Sequence, residues 1–193
     1  MDKEQLHEAR TNPDFLKYLE ETRVDAIATK NISALYEVLD SYLVLDLQED
    51  KINDVYQHIL QISFKNVEKI VNENRKLSLD GDDLFYIRAF YEHGIEKWSY
   101  ENLDGAKELI FVLSNIIDDE LLCDALKVHI VALSNKIDLD TFYGTEVDLN
   151  SSSDDEKYGY FITNFNYNTK DFLDKNKNTL QKEYDNLKHL IDG

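Results

Sequence analysis

The chain has 193 residues, 42% of them hydrophobic and 31% charged, with one Pro and six Gly. It is long enough for a sizeable core and too poor in turn residues for an all-β fold or a loop-rich enzyme. Its formal net charge of -18 repels phosphate backbones and anionic lipid surfaces, which sets aside nucleic acid and membrane as partners, and it attracts basic proteins.

In chain order, Asn12-Pro13 reads as a capped helix start, with Phe15, Leu19, Thr22 and Ala26 following at helical spacing. Asn31 caps a second helix carrying Ile32, Leu35, Leu39, Tyr42 and Leu43 on one face. Asp50 opens a third, with Ile52, Val55, Ile59, Ile62, Val67 and Ile70. Residues 78–83, Ser-Leu-Asp-Gly-Asp-Asp, form a break. Leu84, Ile87, Tyr91, Ile95 and Trp98 then step by three or four along one stripe. After an interruption at residues 102–105 comes a stripe of Ala106, Leu109, Ile110, Leu113, Ile116 and Ile117. Asp118-Asp119-Glu120 supplies a cap and favourable charge for the next helix, with Leu122, Ala125, Leu126, His129, Ala132 and Leu133.

Residues 138–149 read as irregular, and residues 150–157 as an acidic linker. Residues 158–167 are rich in aromatics (Tyr158, Tyr160, Phe161, Phe165, Tyr167), and periodicity leaves strand and helix open there. From Thr169 a final charged helix runs to Ile191, with a narrow seam of Phe172, Leu173, Leu180, Tyr184, Leu187 and Ile191. The pattern predicts an all-α fold of six or seven helices. It divides into a helical domain over residues 1–149, the linker over 150–157, and an aromatic segment with a C-terminal amphipathic helix over 158–193.

Two stretches, residues 34–41 and 108–115, are loosely alike at an offset of a little over seventy residues, and each leads to a helix with His-Ile (His58-Ile59, His129-Ile130). Within residues 84–117, the small residues Ala89, Gly94 and Ala106 and the aromatic Tyr100 make a pattern that resembles a degenerate tetratricopeptide hairpin. The Pro that usually ends that repeat is missing. The resemblance implies stacked hairpins that bind a peptide or protein without catalysis; the alternative is an irregular helical bundle.

The familiar chemistries are mostly set aside. The glycines are isolated, so no phosphate-cradling loop is expected. One cysteine, Cys123, precludes an intrachain disulfide and a zinc site of Cys and His; flanked by carboxylates, it reads as a small core residue. Around Gly81 a calcium loop fails, because Ile87 stands where the acidic ligand is needed. The Glu4-x-x-His7 spacing suits a di-metal bundle but lacks its partner motif, and Asp54/His58 and Asp185/His189 read as solvated pairs one turn apart. No cofactor or metal is therefore expected. His129, on an apolar stripe, reads as a buried imidazole bonded to a backbone carbonyl or an Asp.

The function that follows is a non-catalytic protein-binding module: an adaptor, a chaperone-like holder or an immunity-type inhibitor of a basic partner. Tyr91, His93, Trp98, Tyr158, Tyr160 and Phe161 are its candidate binding residues. The alternatives are a helical-bundle enzyme or sensor whose pocket uses His129 or His93, and a self-assembling protein that forms a homodimer through residues 169–191. The first residues hold no apolar leader and no run is long enough to span a membrane, so the expected compartment is the cytoplasm.

Overall fold

The computed structural model describes residues 3–47, 49–151 and 155–191, with the side chains of residues 3–5 excluded. Glu4, and residues 152–154 of the expected linker, thus lie outside the described side chains or residues. The fold is all-α. Among the described residues there are ten α-helices, two 3-10 turns and two isolated β-bridges.

The chain divides into two compact units, with the boundary between Asn66 and Val67. The first contains α1 (Lys3–Thr11), α2 (Pro13–Thr29), α3 (Ile32–Val44) and most of α4 (Glu49–Asn72). The α2 start follows from local chemistry: the Asn12 side chain accepts from the Asp14 and Phe15 amides, and Pro13 takes the first helical position. Asn31 caps α3 by accepting from the Ala34 amide. The unit buries Leu19, Ile32, Leu35, Val38, Val55 and Ile59. At its edge Arg23 bridges Glu20 and Asp54, each at 2.7 Å, and so links α2 to α4.

The second unit holds the end of α4, then α5 (Gly81–Ser99), α6 (Leu103–Ile116), α7 (Glu120–Ser134), α8 (Leu139–Thr145), α9 (Thr169–Lys175) and α10 (Lys177–Leu187). Helices α5 and α6 form a close hairpin across residues 100–102. A Cβ added at Gly94 would lie 3.1 Å from Ile110 Cδ1, so the absence of a side chain there lets the two helices approach. Asp80, Asn102, Asp119 and Asp138 cap α5, α6, α7 and α8 through their side-chain oxygens.

Three sequence expectations change. Ten α-helices stand among the described residues where six or seven were expected. Residues 138–149 contain α8, a seven-residue helix too short to show a period, which drives Phe142 into the core. The final helix is two helices: at Asn176 the chain turns, and the Asn176 amide bonds both Phe172 and Leu173 carbonyls. Residues 158–167 adopt neither alternative in full. A 3-10 turn at Glu156–Tyr158 leads into irregular backbone that meets residues 146–148 in a single antiparallel bridge, Val147 to Phe165.

Five helices end in the same way. Lys30, Asp46, Asn74, Glu101 and Lys136 stand in the left-handed region, with φ between 49° and 61°. Around Lys30 its amide reaches the Ile27 carbonyl and the Asn31 amide reaches Ala26; the other four ends repeat this pair of bonds.

Candidate functional site

Of the residues singled out in the sequence, Tyr91 and Trp98 meet at His129, and Phe161 joins them through Tyr91. The α7 backbone carries His129 into the centre of the second unit, where it is fully buried. Its Nδ1–H donates to the Ala125 carbonyl one turn back, at 2.7 Å. That bond leaves Nε2 as an acceptor, and it takes the Tyr91 hydroxyl of α5 at 3.1 Å. The Tyr91 oxygen in turn accepts from the Ile162 amide at 3.0 Å, so one phenol ties α5, α7 and the irregular segment together.

Rings close the surroundings. Phe142 lies 5.0 Å and Trp98 6.1 Å from His129, centroid to centroid, and Phe161 lies 5.3 Å from Tyr91. The Trp98 indole N–H donates to the Ile137 carbonyl at 2.9 Å, which satisfies its polar edge. Burial lowers His129 to about 4 and pushes Tyr91 far above the usual phenol range. The imidazole is therefore neutral at pH 7, and all three polar atoms of the pair have partners.

The remaining candidate residues lie around this junction. Tyr160 is partly exposed, with the Arg88 guanidinium 4.1 Å above its ring; Arg88 itself is buried and bonds Glu92 at 2.7 Å. The Tyr158 hydroxyl donates to the Asp119 carboxylate at 2.9 Å, beside the Lys157 ammonium at 3.3 Å. Burial acts to raise the Asp119 carboxyl, but the Leu122 amide, Tyr158 and Lys157 outweigh it and hold it below its ordinary value. His93 stands apart, its Nδ1 2.8 Å from Glu96 on the next turn of α5.

Concave surface lies elsewhere in the unit. A groove of about 860 Å³ runs between α6–α7 and α9–α10, floored by Phe111, Ile130, Leu180 and Tyr184. Its charges are matched locally: Lys127 with Asp124 within α7 at 2.8 Å, and Lys177 of α10 with Asp174 of α9 at 2.9 Å. Below α10 the Glu183 carboxylate is almost covered and pairs with Lys107 of α6 at 3.3 Å. A smaller cleft of about 500 Å³ is lined by Asp119, Leu121, Tyr158, Thr163 and Lys170. Of the candidate residues, Tyr158 alone borders either.

The chain matches no family model, no curated protein and no solved structure.

The site is accordingly argued from its own geometry. The i, i+3 spacing of Asp124/Lys127 and Asp174/Lys177 is visible in the sequence, but nothing there shows that their helices face one groove. The Nδ1 of His58 donates to the Asp54 carbonyl at 2.8 Å, with the Asp54 carboxylate at 3.7 Å, and the Nδ1 of His189 donates to the Asn186 carbonyl at 3.0 Å. Among the described residues no group of three or more His, Cys, Asp or Glu is arranged to hold a metal ion, and no helix is long and apolar enough to cross a membrane. The Cys123 thiol is half-buried, and burial pushes its pKa up, away from reactivity.

Proposed function

We propose that the protein is a non-catalytic binding module that recognises a basic protein partner. One observation carries this reading. Between Lys136 and Lys157 the chain has no Lys or Arg, yet it presents Asp138, Asp140, Asp155 and Glu156 to solvent. Leu149 is 70% exposed within this stretch and Tyr143 38%. Carboxylates interleaved with exposed apolar groups suit the ammonium heads and aliphatic stems of Lys and Arg together. A helical-hairpin scaffold, as in repeat proteins, and a reducing cytoplasmic setting belong to the same reading.

The enzyme alternative has less support. His129 is sealed, neutral and used at both nitrogens, and His93 is engaged by Glu96. An adaptor, a holder and an inhibitor of a basic toxin all use the same surface.

The test is binding to a panel of basic proteins, with an acidic protein as control, measured by calorimetry across salt concentrations. Affinity is expected to fall steadily as salt rises. The triple variant D140N/D155N/E156Q should bind more weakly and with a shallower salt slope. Binding indifferent to salt, or unchanged by the triple substitution, would overturn the reading.

A further inference from the structure

Residues 159–168 make an irregular strap across α5 and α7, and its attachments are few and identifiable. Phe161 enters the core, Phe165 packs 6.1 Å from His129, and Asn164 and Asn166 exchange backbone bonds with residues 148 and 146. The central tie is the Ile162 amide, which donates to the Tyr91 oxygen. That oxygen holds its position because its own proton is given to His129 Nε2.

We propose that this strap is an acid-sensitive latch: protonation of His129 removes the acceptor for the Tyr91 hydroxyl and so releases the Ile162 tie. A phenol hydroxyl proton lies in the ring plane and has two favoured directions. With Nε2 converted to a donor, the Tyr91 oxygen faces two N–H groups, from His129 and Ile162, and its own proton has no partner. A buried donor without an acceptor, next to a buried cation, destabilises the closed arrangement.

The groups that face His129 are Tyr91 and Trp98 from α5, Phe142 from α8 and Phe165 from the strap. None of them carries charge at neutral pH. Tyr143 of α8 acts electrostatically on Tyr91, Arg88 and Glu92 of α5 are engaged with Tyr160 and with each other, and Glu146 lies beside Tyr167. Among the described residues no carboxylate bonds His129 to hold its proton in the closed state. Opening the strap exposes Phe161, Phe165 and the Tyr91–His129 pair, so acid uncovers an aromatic surface that is largely covered at neutral pH.

The sign follows from linkage. The closed-state imidazole lies at about 4 and the solvated one at 6.5, so the open state binds the extra proton. The closed strap is fully stable above pH 6.5 and loses stability as pH falls toward 4. Its opening constant should rise by up to tenfold per pH unit across that window.

The experiment is amide hydrogen exchange on the full chain between pH 6.5 and 4.5, corrected for intrinsic rates, with α6 peptides as the internal reference. Protection of the strap is expected to fall with pH while α6 stays constant. In H129Q, whose amide can accept from Tyr91 but does not titrate, strap protection should stay flat across the window. A parallel decline in H129Q, or no decline in the wild type, would overturn the latch. If H129Q fails to fold, H129N supplies a second non-titrating replacement with the same expectation. At pH 7, Y91F should lower strap protection about tenfold relative to α6, the cost of one lost hydrogen bond; unchanged protection would show that the hydroxyl is not the tie.

Discussion

The strap and the two helices that follow it both pack against α7, yet different forces hold them there. Residues 159–168 have no regular backbone ladder, so they are fixed by the Ile162 tie to Tyr91, by the bond of Tyr158 to Asp119 just before them, and by rings that enter the core. Helices α9 and α10 satisfy their own backbones. They are held instead by an apolar seam (Leu173, Leu180, Leu187) and by the covered Glu183–Lys107 pair. An element without its own hydrogen-bond ladder needs directional bonds to have a unique position, whereas a helix needs only a matching face.

That contrast can be broken at graded points, read by denaturant titration with Trp98 fluorescence. Trp98 is the only tryptophan and lies in the second unit, so its signal reports on that unit. The largest effect is expected from Phe142→Ala. This ring is fully buried between Trp98 and His129, and its loss leaves a cavity that should destabilise the unit by about 3–5 kcal/mol. A loss under about 1 kcal/mol would mean that the strap does not depend on the rings beneath it.

Glu183→Ala comes next. It leaves Lys107 of α6 under the helix with only Asp104, at 3.6 Å, as a partner. Lys107 retains some contact with solvent, so a loss of about 1–2 kcal/mol is expected, below the figure for a fully buried pair. The smallest change should come from Tyr158→Phe, which removes one hydroxyl from the Asp119 carboxylate at the strap's edge, for about 1 kcal/mol. If Tyr158→Phe costs more than Glu183→Ala, the assignment of polar ties to the strap and a packing seam to α10 needs only sharpening at the helix. If Glu183→Ala is neutral, the seam alone holds α10.

What the sequence made legible was local. Asn12, Asn31 and Asp119 announce helix starts because the cap oxygen and the amides it accepts from lie within three residues, whereas Asn102, read as part of an interruption, proves to cap α6 in the same way. The apolar stripes from Leu84 to Trp98 and from Leu122 to Leu133 mark the faces of α5 and α7 that are turned inward. Helix α8 was hidden because seven residues make just under two turns, and the break at Asn176 because the polar face on either side continues the same period. The convergence of Tyr91, His129 and Ile162 was not legible at all. Those residues are separated by 38 and 71 positions along the chain from Tyr91, and no short-range pattern encodes a contact of that span.

The five left-handed helix ends have a consequence for durability. Each places a Cβ where glycine is most at ease, at Lys30, Asp46, Asn74, Glu101 and Lys136, and the strain is greatest at the Lys and Glu positions because Asp and Asn tolerate this region better. A fold that closes its helices this way keeps unspent steric tension at solvent-facing corners. Glycine at Lys30, Glu101 or Lys136 would release about 1 kcal/mol at each corner, less what the freer unfolded chain takes back. The protein therefore contains a route to greater heat tolerance that leaves the carboxylates of residues 138–156 and its core untouched.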